Sequence, residues 1–260
     1  VAGRLADRLV AMSGGRGSPR GAVGLVFATG YAEDLAVCAL VERLVLERGG
    51  RALRLPATGL RADGEGVAFR GERVGVLYRF YPLEYMEGQR NVPALAAATA
   101  RGALASISTF AAIHAQSKLA MARAWAAEPD AARDVFPETY ALADVGAARA
   151  ASERPGWVLK RALSRVGDHV IVGPATDQGD FTTALEEIGE AEADGDVWVA
   201  QRFVPQRVFA TAWGPRQLTL GVYLLDGVFA GYFARLSDHA CCTHDALGLP
   251  VFVGEEVLAA

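Results

Sequence analysis

The chain has 260 residues and 26 basic side chains, and every basic side chain is arginine except Lys118 and Lys160. A composition rich in alanine, glycine and arginine exchanges lysine for arginine wherever the swap is harmless. It is not harmless where a compact ammonium must meet a phosphate or shift its pKa. The two remaining lysines are therefore the first candidates for chemistry, with chance retention as the competing reading. Lys160 ends an apolar run in Trp157–Gly173 (WVLKRALSRVGDHVIVG). Its pattern is a strand, a loop carrying Ser164 and Gly167, and a returning strand at Val170–Val172. Such a loop lets an ammonium point at phosphate oxygens while backbone N–H groups close over them, and glycine permits the close approach. The phosphate loop GxxxxGK[ST] does not occur. An ordinary hairpin with an exposed lysine is the plainer reading.

Further along, Val197–Pro205 (VWVAQRFVP) reads as a strand ending at Gln201 and a proline-stiffened hinge. Backbone groups there suit the edge of an adenine, with Phe203 and Val204 as an apolar wall. Apolar strands are also ordinary core. No G-x-S-x-G or Ser-His-Asp string is present. The string DHACCTH (Asp238–His244) invites zinc, but adjacent cysteines seldom chelate one tetrahedral ion. A loop with buried thiols, or one facing substrate, is expected instead. Arg79 and Glu84, in RFYPLE, suit a substrate carboxylate and amine; an ion-paired loop is equally compatible with them.

The elements that must hold these residues divide into two grammars. Leu5, Leu9 and Met12 have helical spacing, and residues 13–21 (SGGRGSPRG) form a linker. Ala22–Ala28 is a short apolar strand with a turn at Thr29-Gly30, and Glu33–Arg48 an amphipathic helix stopped by Gly49-Gly50. Leu53–Leu55 and Val74–Tyr78 are further strands, with turns at Asp63-Gly64 and Gly71. Strand–helix–strand alternation implies a parallel sheet, whose carboxyl-end crevice would hold Thr29-Gly30-Tyr31 and Arg79–Pro82. A helix near 93–101, a strand at Ser106–Ile107 and a helix from Ser117 to Ala127 follow, then a loop punctuated by Pro129 and Pro137. After Trp157 the pattern becomes antiparallel. Phe181–Ala193 is a helix, and Gln217–Leu225 and Val228–Leu236 form a hairpin on an Asp226-Gly227 turn. The boundary between the two parts falls near Lys118.

Formal net charge of −4 excludes a broadly basic nucleic-acid binder. No apolar run is long enough to span a membrane, and no secretory signal pattern is visible. Three cysteines, two of them adjacent, make no disulfide framework and suit a reducing cytoplasm.

Lys118 in QSKLAM, Lys160 in its strand–loop–strand, and Gln201 in VAQRFVP occur in the order and spacing of an ATP-grasp fold. The chain resembles the circularly permuted ATP-grasp family related to glutathionylspermidine synthase. GVLYRFYPLEYM (75–86), ARGALASISTFAAIHAQSK (100–118) and GVYLLDGVFAGYFARLS (221–237) carry the likeness over most of the chain. The resemblance implies an α/β fold: a parallel-sheet, Rossmann-like pre-ATP-grasp domain at 1–117, then an ATP-grasp region of antiparallel sheet plus helices at 118–260. It implies that Lys118 and Lys160 contact ATP phosphates, that Ser164 and Gly167 lie in a flap over them, and that Gln201, Phe203 and Val204 frame adenine. Arg235 would approach the γ-phosphate or an acyl phosphate and, with Lys160, act in catalysis. The family's Mg2+ site, often Glu-x-Asn, has no counterpart, because Asn91 is the sole asparagine and lies in the other half. Asp238 is the candidate Mg2+ ligand.

The activity so implied is an ADP-forming, ATP-dependent carboxylate–amine ligase acting through an acyl phosphate. Its partners would be small-molecule or peptide carboxylates and amines, without nucleic acid or membrane, and self-association stays open. A nucleotide-binding pseudoenzyme or scaffold with a degenerate metal site is the alternative. A Rossmann-like binding domain with no ATP site is the third reading.

Overall fold

The computed structural model describes residues 1–14, 20–62, 64 and 66–252. The expected linker at 13–21 and the Asp63-Gly64 turn therefore lie largely or partly outside the described residues. The chain forms two compact units, Val1–Ile113 with Leu224–Ala230, and His114–Tyr223 with Gly231 onward.

In the first unit, helix α1 (Ala2–Ser13) buries Leu5, Ala6, Leu9 and Ser13, and ends at Gly14 in the left-handed conformation. Strand β1 (Ala22–Phe27) is buried at all six positions, as an apolar run at the centre of a parallel sheet should be. Helix α2 (Ala32–Glu47) turns Cys38, Val41 and Val45 inward. Then come β2 (Ala52–Pro56), the short β3 (Arg61–Ala62) and β4 (Val67–Phe69), the long β5 (Glu72–Phe80), α3 (Val92–Ala100) and β6 (Ala105–Ile107). The parallel order is β2-β1-β5-β6. The sheet is not purely parallel: β4 pairs antiparallel with the start of β5, and β3 pairs with β4. These short strands stand where only turns were expected.

Helices α1 and α2 cover one face of this sheet, against Val23, Leu25, Phe27 and Val76. Helix α3 covers the other, where Leu95 and Ala98 join Val26, Leu55 and Leu77. Connections from β1 and β5 therefore leave in opposite directions, and a crevice is left at the carboxyl ends of the strands. At Gly24, a Cβ would lie 2.9 Å from side-chain atoms of both Leu77 and Val74, so a larger residue cannot enter β1 without repacking.

From α4 (Ala112–Gln116) the chain enters the second unit. Helices α5 (Leu119–Ala127) and α6 (Pro129–Arg133) precede β7 (Thr139–Ala141), α7 (Leu142–Val145) and α8 (Ala147–Ser152). Helix α6 occupies the segment expected to be loop, with Pro129 at its first turn, where the missing N–H costs nothing. Next come β8 (Trp157–Arg161), β9 (Val170–Val172), α9 (Gln178–Ala193) and β10 (Trp198–Arg202). Their sheet has the order β7-β10-β8-β9 and is antiparallel throughout. Trp157, Leu159, Trp198 and Ala200 on one face pack against Phe181, Leu185 and Ile188 of α9. Asp177 caps α9 by accepting the Asp180 N–H at 2.9 Å, so the helix starts before the expected Phe181.

A second antiparallel sheet has the order β11 (Val208–Thr211), β12 (Gly214–Leu225), β13 (Val228–Ser237), β14 (Leu247–Leu249). Asp226 and Gly227, at φ of 52° and 77°, make the two-residue turn that the Asp-Gly dipeptide demands. Among the described residues, no helix is long and apolar enough to cross a membrane.

Candidate functional site

Strand β8 alternates. Trp157 and Leu159 enter the core, so Val158 and Lys160 point to the other face. There they line a cavity of about 420 Å³ in the second unit. Lys118, Gly167, Gln201, Phe203 and Val204 line the same cavity, joined by Gln217 and Thr219 of β12 and by Cys241 and Cys242. Six residues singled out in the sequence thus meet in one space, although they span nearly ninety positions of chain.

The Lys160 ammonium donates to Gln201 Oε1 at 2.5 Å. Gln201 is buried, and its Nε2 donates to Thr139 Oγ1 at 2.9 Å. Its side chain is therefore spent on fixing Lys160, and an adenine edge would meet its backbone or its neighbours Phe203 and Val204. Burial lowers the pKa of Lys160. Desolvation raises that of Cys241, with the Lys160 charge opposing it.

Lys118 sits just before α5, its N–H donating to Ala162 O at 2.9 Å. Its ammonium donates to Arg161 O at 3.1 Å and to the carbonyl and hydroxyl of Ser164, both at 3.0 Å. Ser164, beside the apex of the β8–β9 loop, is therefore held by Lys118. Gly167, on the returning arm of the loop, has φ of 79°, and a Cβ there would lie 2.9 Å from Cys242 O and 3.2 Å from Cys241 Sγ. The glycine lets this loop close against the 241–243 segment.

Arg235 lies outside this lining. It is two residues from Phe233, whose ring sits 5.4 Å from that of Tyr223, so it shares a sheet face with Gln217 and Thr219 further along the strands. Asp238 is exposed and pairs with Arg216 at 3.2 Å. With His239 and Asp245 it forms a cluster whose ligand atoms all lie within 4.8 Å of one another. Two carboxylates are the hard donors that Mg2+ takes while keeping several waters, and they fit that ion better than the imidazole does. Asp245 carried no signal in the sequence beyond its place seven residues on. The two cysteines belong to the cavity wall and not to this cluster. Arg79 and Glu84 are in the first unit. Arg79 is buried on β5 and donates to Tyr81 O at 2.6 Å, and Glu84 lies in the 83–86 turn. Neither is among the residues that line the lysine cavity.

Thr139, Gln217 and Thr219 carry no expectation from the sequence, whereas Cys241 and Cys242, expected in a loop of buried thiols or one facing substrate, line the cavity. Alternation along β12 puts Gln217 and Thr219 on one face among apolar neighbours, and this was the available signal.

No family model and no curated protein matches the chain. Solved structures do. A glutathione synthetase-like effector from Globodera pallida is 12% identical, with a TM-score of 0.54 over 91% of this chain and 58% of that one. The present chain thus spans a little over half the length of that protein. A RimK-domain ATP-grasp protein from Sphaerobacter thermophilus is 21% identical over 72% of this chain and 68% of that one, with a TM-score of 0.47. The ATP-grasp ligase PsnB, in a complex with a minimal precursor, is 12% identical over 91% and 79%, at 0.46. At these identities the likeness is one of fold. The chain has a mixed α/β fold similar to that of the glutathione synthetase-like effector.

Proposed function

We propose that this chain is an ADP-forming, ATP-dependent carboxylate–amine ligase, akin to the circularly permuted, glutathionylspermidine synthase-like ATP-grasp proteins. One observation carries the reading: the chain's two lysines line a single cavity together with a glycine-bearing loop and an apolar wall. In this reading residues 118–260 form the nucleotide lobe. Phe203 and Val204 take adenine, Lys118 and Lys160 take phosphate oxygens, and Gly167 lets loop N–H groups approach them. Phosphoryl transfer to a carboxylate needs positioning and cationic stabilisation, not a protein nucleophile. Lys160 is suited to this, because Gln201 fixes its direction and burial strengthens its field. An amine then attacks the acyl phosphate, and phosphate leaves. Arg235, on the same sheet face, would meet that leaving charge.

Asp238 and Asp245 would hold Mg2+, which when bound neutralises phosphate charge. The substrates in this reading are small-molecule or peptide carboxylates and amines, and three free thiols suit a cytoplasmic setting. The Arg216–Asp238 pair favours a second reading, a nucleotide-binding protein whose metal site is degenerate, since the arginine already neutralises the candidate ligand.

Calorimetric titration of ATP, with and without Mg2+, on the wild type and Lys160→Ala tests both. Metal-dependent binding lost in the variant, followed by ADP release on addition of a carboxylate and an amine, is expected. Binding indifferent to Mg2+ would favour the second reading. No binding at millimolar ATP would sink both.

A further inference from the structure

Three strands of the second unit set one polar row across the face that bears the lysine cavity. Thr139 of β7 stands directly opposite Gln201 of β10, and Lys160 of β8 stands opposite Val199, two residues before Gln201. Residues opposite each other in antiparallel strands share a face, as do residues two apart. Thr139, Gln201 and Lys160 therefore lie side by side, although Gln201 is 62 residues from Thr139 and 41 from Lys160 in the chain. Thr139 and Gln201 are 1% and 7% exposed, so bulk water offers neither a replacement partner.

The hydrogen bonds along this row have one direction while Lys160 is charged. An ammonium donates and cannot accept. Lys160 Nζ is 2.5 Å from Gln201, so the amide must turn its oxygen there. Its nitrogen then faces Thr139 Oγ1 at 2.9 Å, with Met121 Sδ of α5 at 3.5 Å as a second, weaker acceptor. The Thr139 hydroxyl has a single hydrogen, which goes to Pro137 O at 2.8 Å. It meets Gln201 as an acceptor. Turned the other way, the amide would set its own hydrogens against the ammonium, and its oxygen against a hydroxyl whose hydrogen is already committed.

We propose that Thr139 is a positioning residue for Lys160: it fixes which end of the Gln201 amide faces the ammonium, and so keeps the proton on Nζ and aims it into the cavity. Its hydroxyl touches no ligand and acts through Gln201. Burial lowers the Lys160 pKa, and an amide oxygen bonded to the charged form opposes that loss. Three other titratable groups line the cavity around the ammonium. Cys241, in the 241–243 segment, acts on Lys160 through its charge. Lys118, before α5, is bonded to Arg161 O and Ser164, and Arg202 of β10 is paired with Glu138 and Glu153. Neither cation can hold a proton on Lys160, and Gln201 is the neutral acceptor that does. This inference rests on the ligand-binding role given to Lys160 above, but its main readout needs no nucleotide.

The chain has two lysines, so protein labelled with 13C at the lysine ε-carbon gives two signals to follow by NMR. Lys160→Arg identifies the Lys160 signal. Thr139→Val keeps the shape and removes the hydroxyl, and the Lys160 titration midpoint is expected below the wild-type value. Thr139→Ser restores the hydroxyl and should restore the midpoint. ATP affinity at neutral pH should weaken about two- to ten-fold in the valine variant, as for loss of one neutral hydrogen bond. The alkaline fall in ATP binding should move to lower pH together with the lysine midpoint. If the valine variant does not fold, Thr139→Ala carries the same comparison. An unchanged Lys160 midpoint in the variant without the hydroxyl overturns the proposal. So does a serine variant that titrates as the valine one does, since packing and not the hydroxyl would then be responsible. If the midpoint falls and serine restores it while ATP binds to none of these proteins, the positioning role stands and the ligase reading alone fails.

Discussion

Replacing Gln201 by leucine removes the link between the two buried halves of the lysine cavity. The glutamine accepts from the Lys160 ammonium at 2.5 Å and donates to Thr139 Oγ1 at 2.9 Å. The bond to the charged group is worth about 1.5–3 kcal/mol and the neutral one about 0.5–1.5 kcal/mol. Thr139 keeps its own bond to Pro137 O at 2.8 Å, so the loss on that side is toward the low end. Leucine returns part of the difference, since about 25 cal/mol per Å² accrues to the apolar surface it buries. The net expected loss is about 2 kcal/mol, a drop of about 4–8 °C in Tm for a protein of this size. Lys160 would remain partly buried with no acceptor there, so its pKa should fall further and nucleotide binding should weaken with it. Urea denaturation gives the stability and calorimetry the affinity, and Gln201→Glu serves as the variant that keeps an acceptor. An unchanged midpoint in Gln201→Leu, within about 0.5 kcal/mol, would refute the argument that this amide organises the site.

Gly167→Ala places a methyl 2.9 Å from Cys242 O on a residue at φ of 79°. Displacement of the β8–β9 loop and a loss of about 1 kcal/mol or more are expected in a thermal melt, with weaker ATP binding; an alanine variant matching the wild type in both would refute the close packing of that loop. Lys160 gives opposite signs to binding and stability. Its folded pKa lies below the ordinary 10.5, so an unfolded chain holds that proton more tightly. Stability from this group is therefore lowest below the folded pKa and rises as pH climbs through the interval up to 10.5. Nucleotide binding needs the ammonium and should fall over the same alkaline interval. ATP titrations and melts across alkaline pH check both slopes, and binding and stability that fall together would contradict the assignment to Lys160.

Much of the architecture was legible because local and global preferences agree. The unbroken apolar run of β1 announces a strand buried on both faces, and it is buried throughout. The Asp226-Gly227 turn fixes its hairpin by backbone conformation alone. The lysine pair was legible for a compositional reason, and the cavity gathers both. What escaped has equally physical causes. Strands β3 and β4 are two and three residues long, too short for any period to show. Segment 139–152 is a three-residue strand followed by two short helices, positioned by packing on the sheet. Cys241 and Cys242 reach the cavity through a loop, whose path no periodicity records. Gln201 was legible as a site residue, but its partner was not, because Lys160 lies across a strand pair and not along the chain.

Lys118 imposes a rule of exchange on whatever enters the lysine cavity. An ammonium has three N–H bonds to give. Here three go to Arg161 O, Ser164 O and Ser164 Oγ. A phosphate oxygen that claims one would compete with a tie to the glycine loop. The measured affinity of an anion would then be a difference between two sets of bonds, smaller than the contacts in the complex suggest. The loop would lose that tie just as it gained a ligand to cover. A single side chain would thus act as a molecular clasp, fastened to the protein when the cavity is empty and to the ligand when it is full.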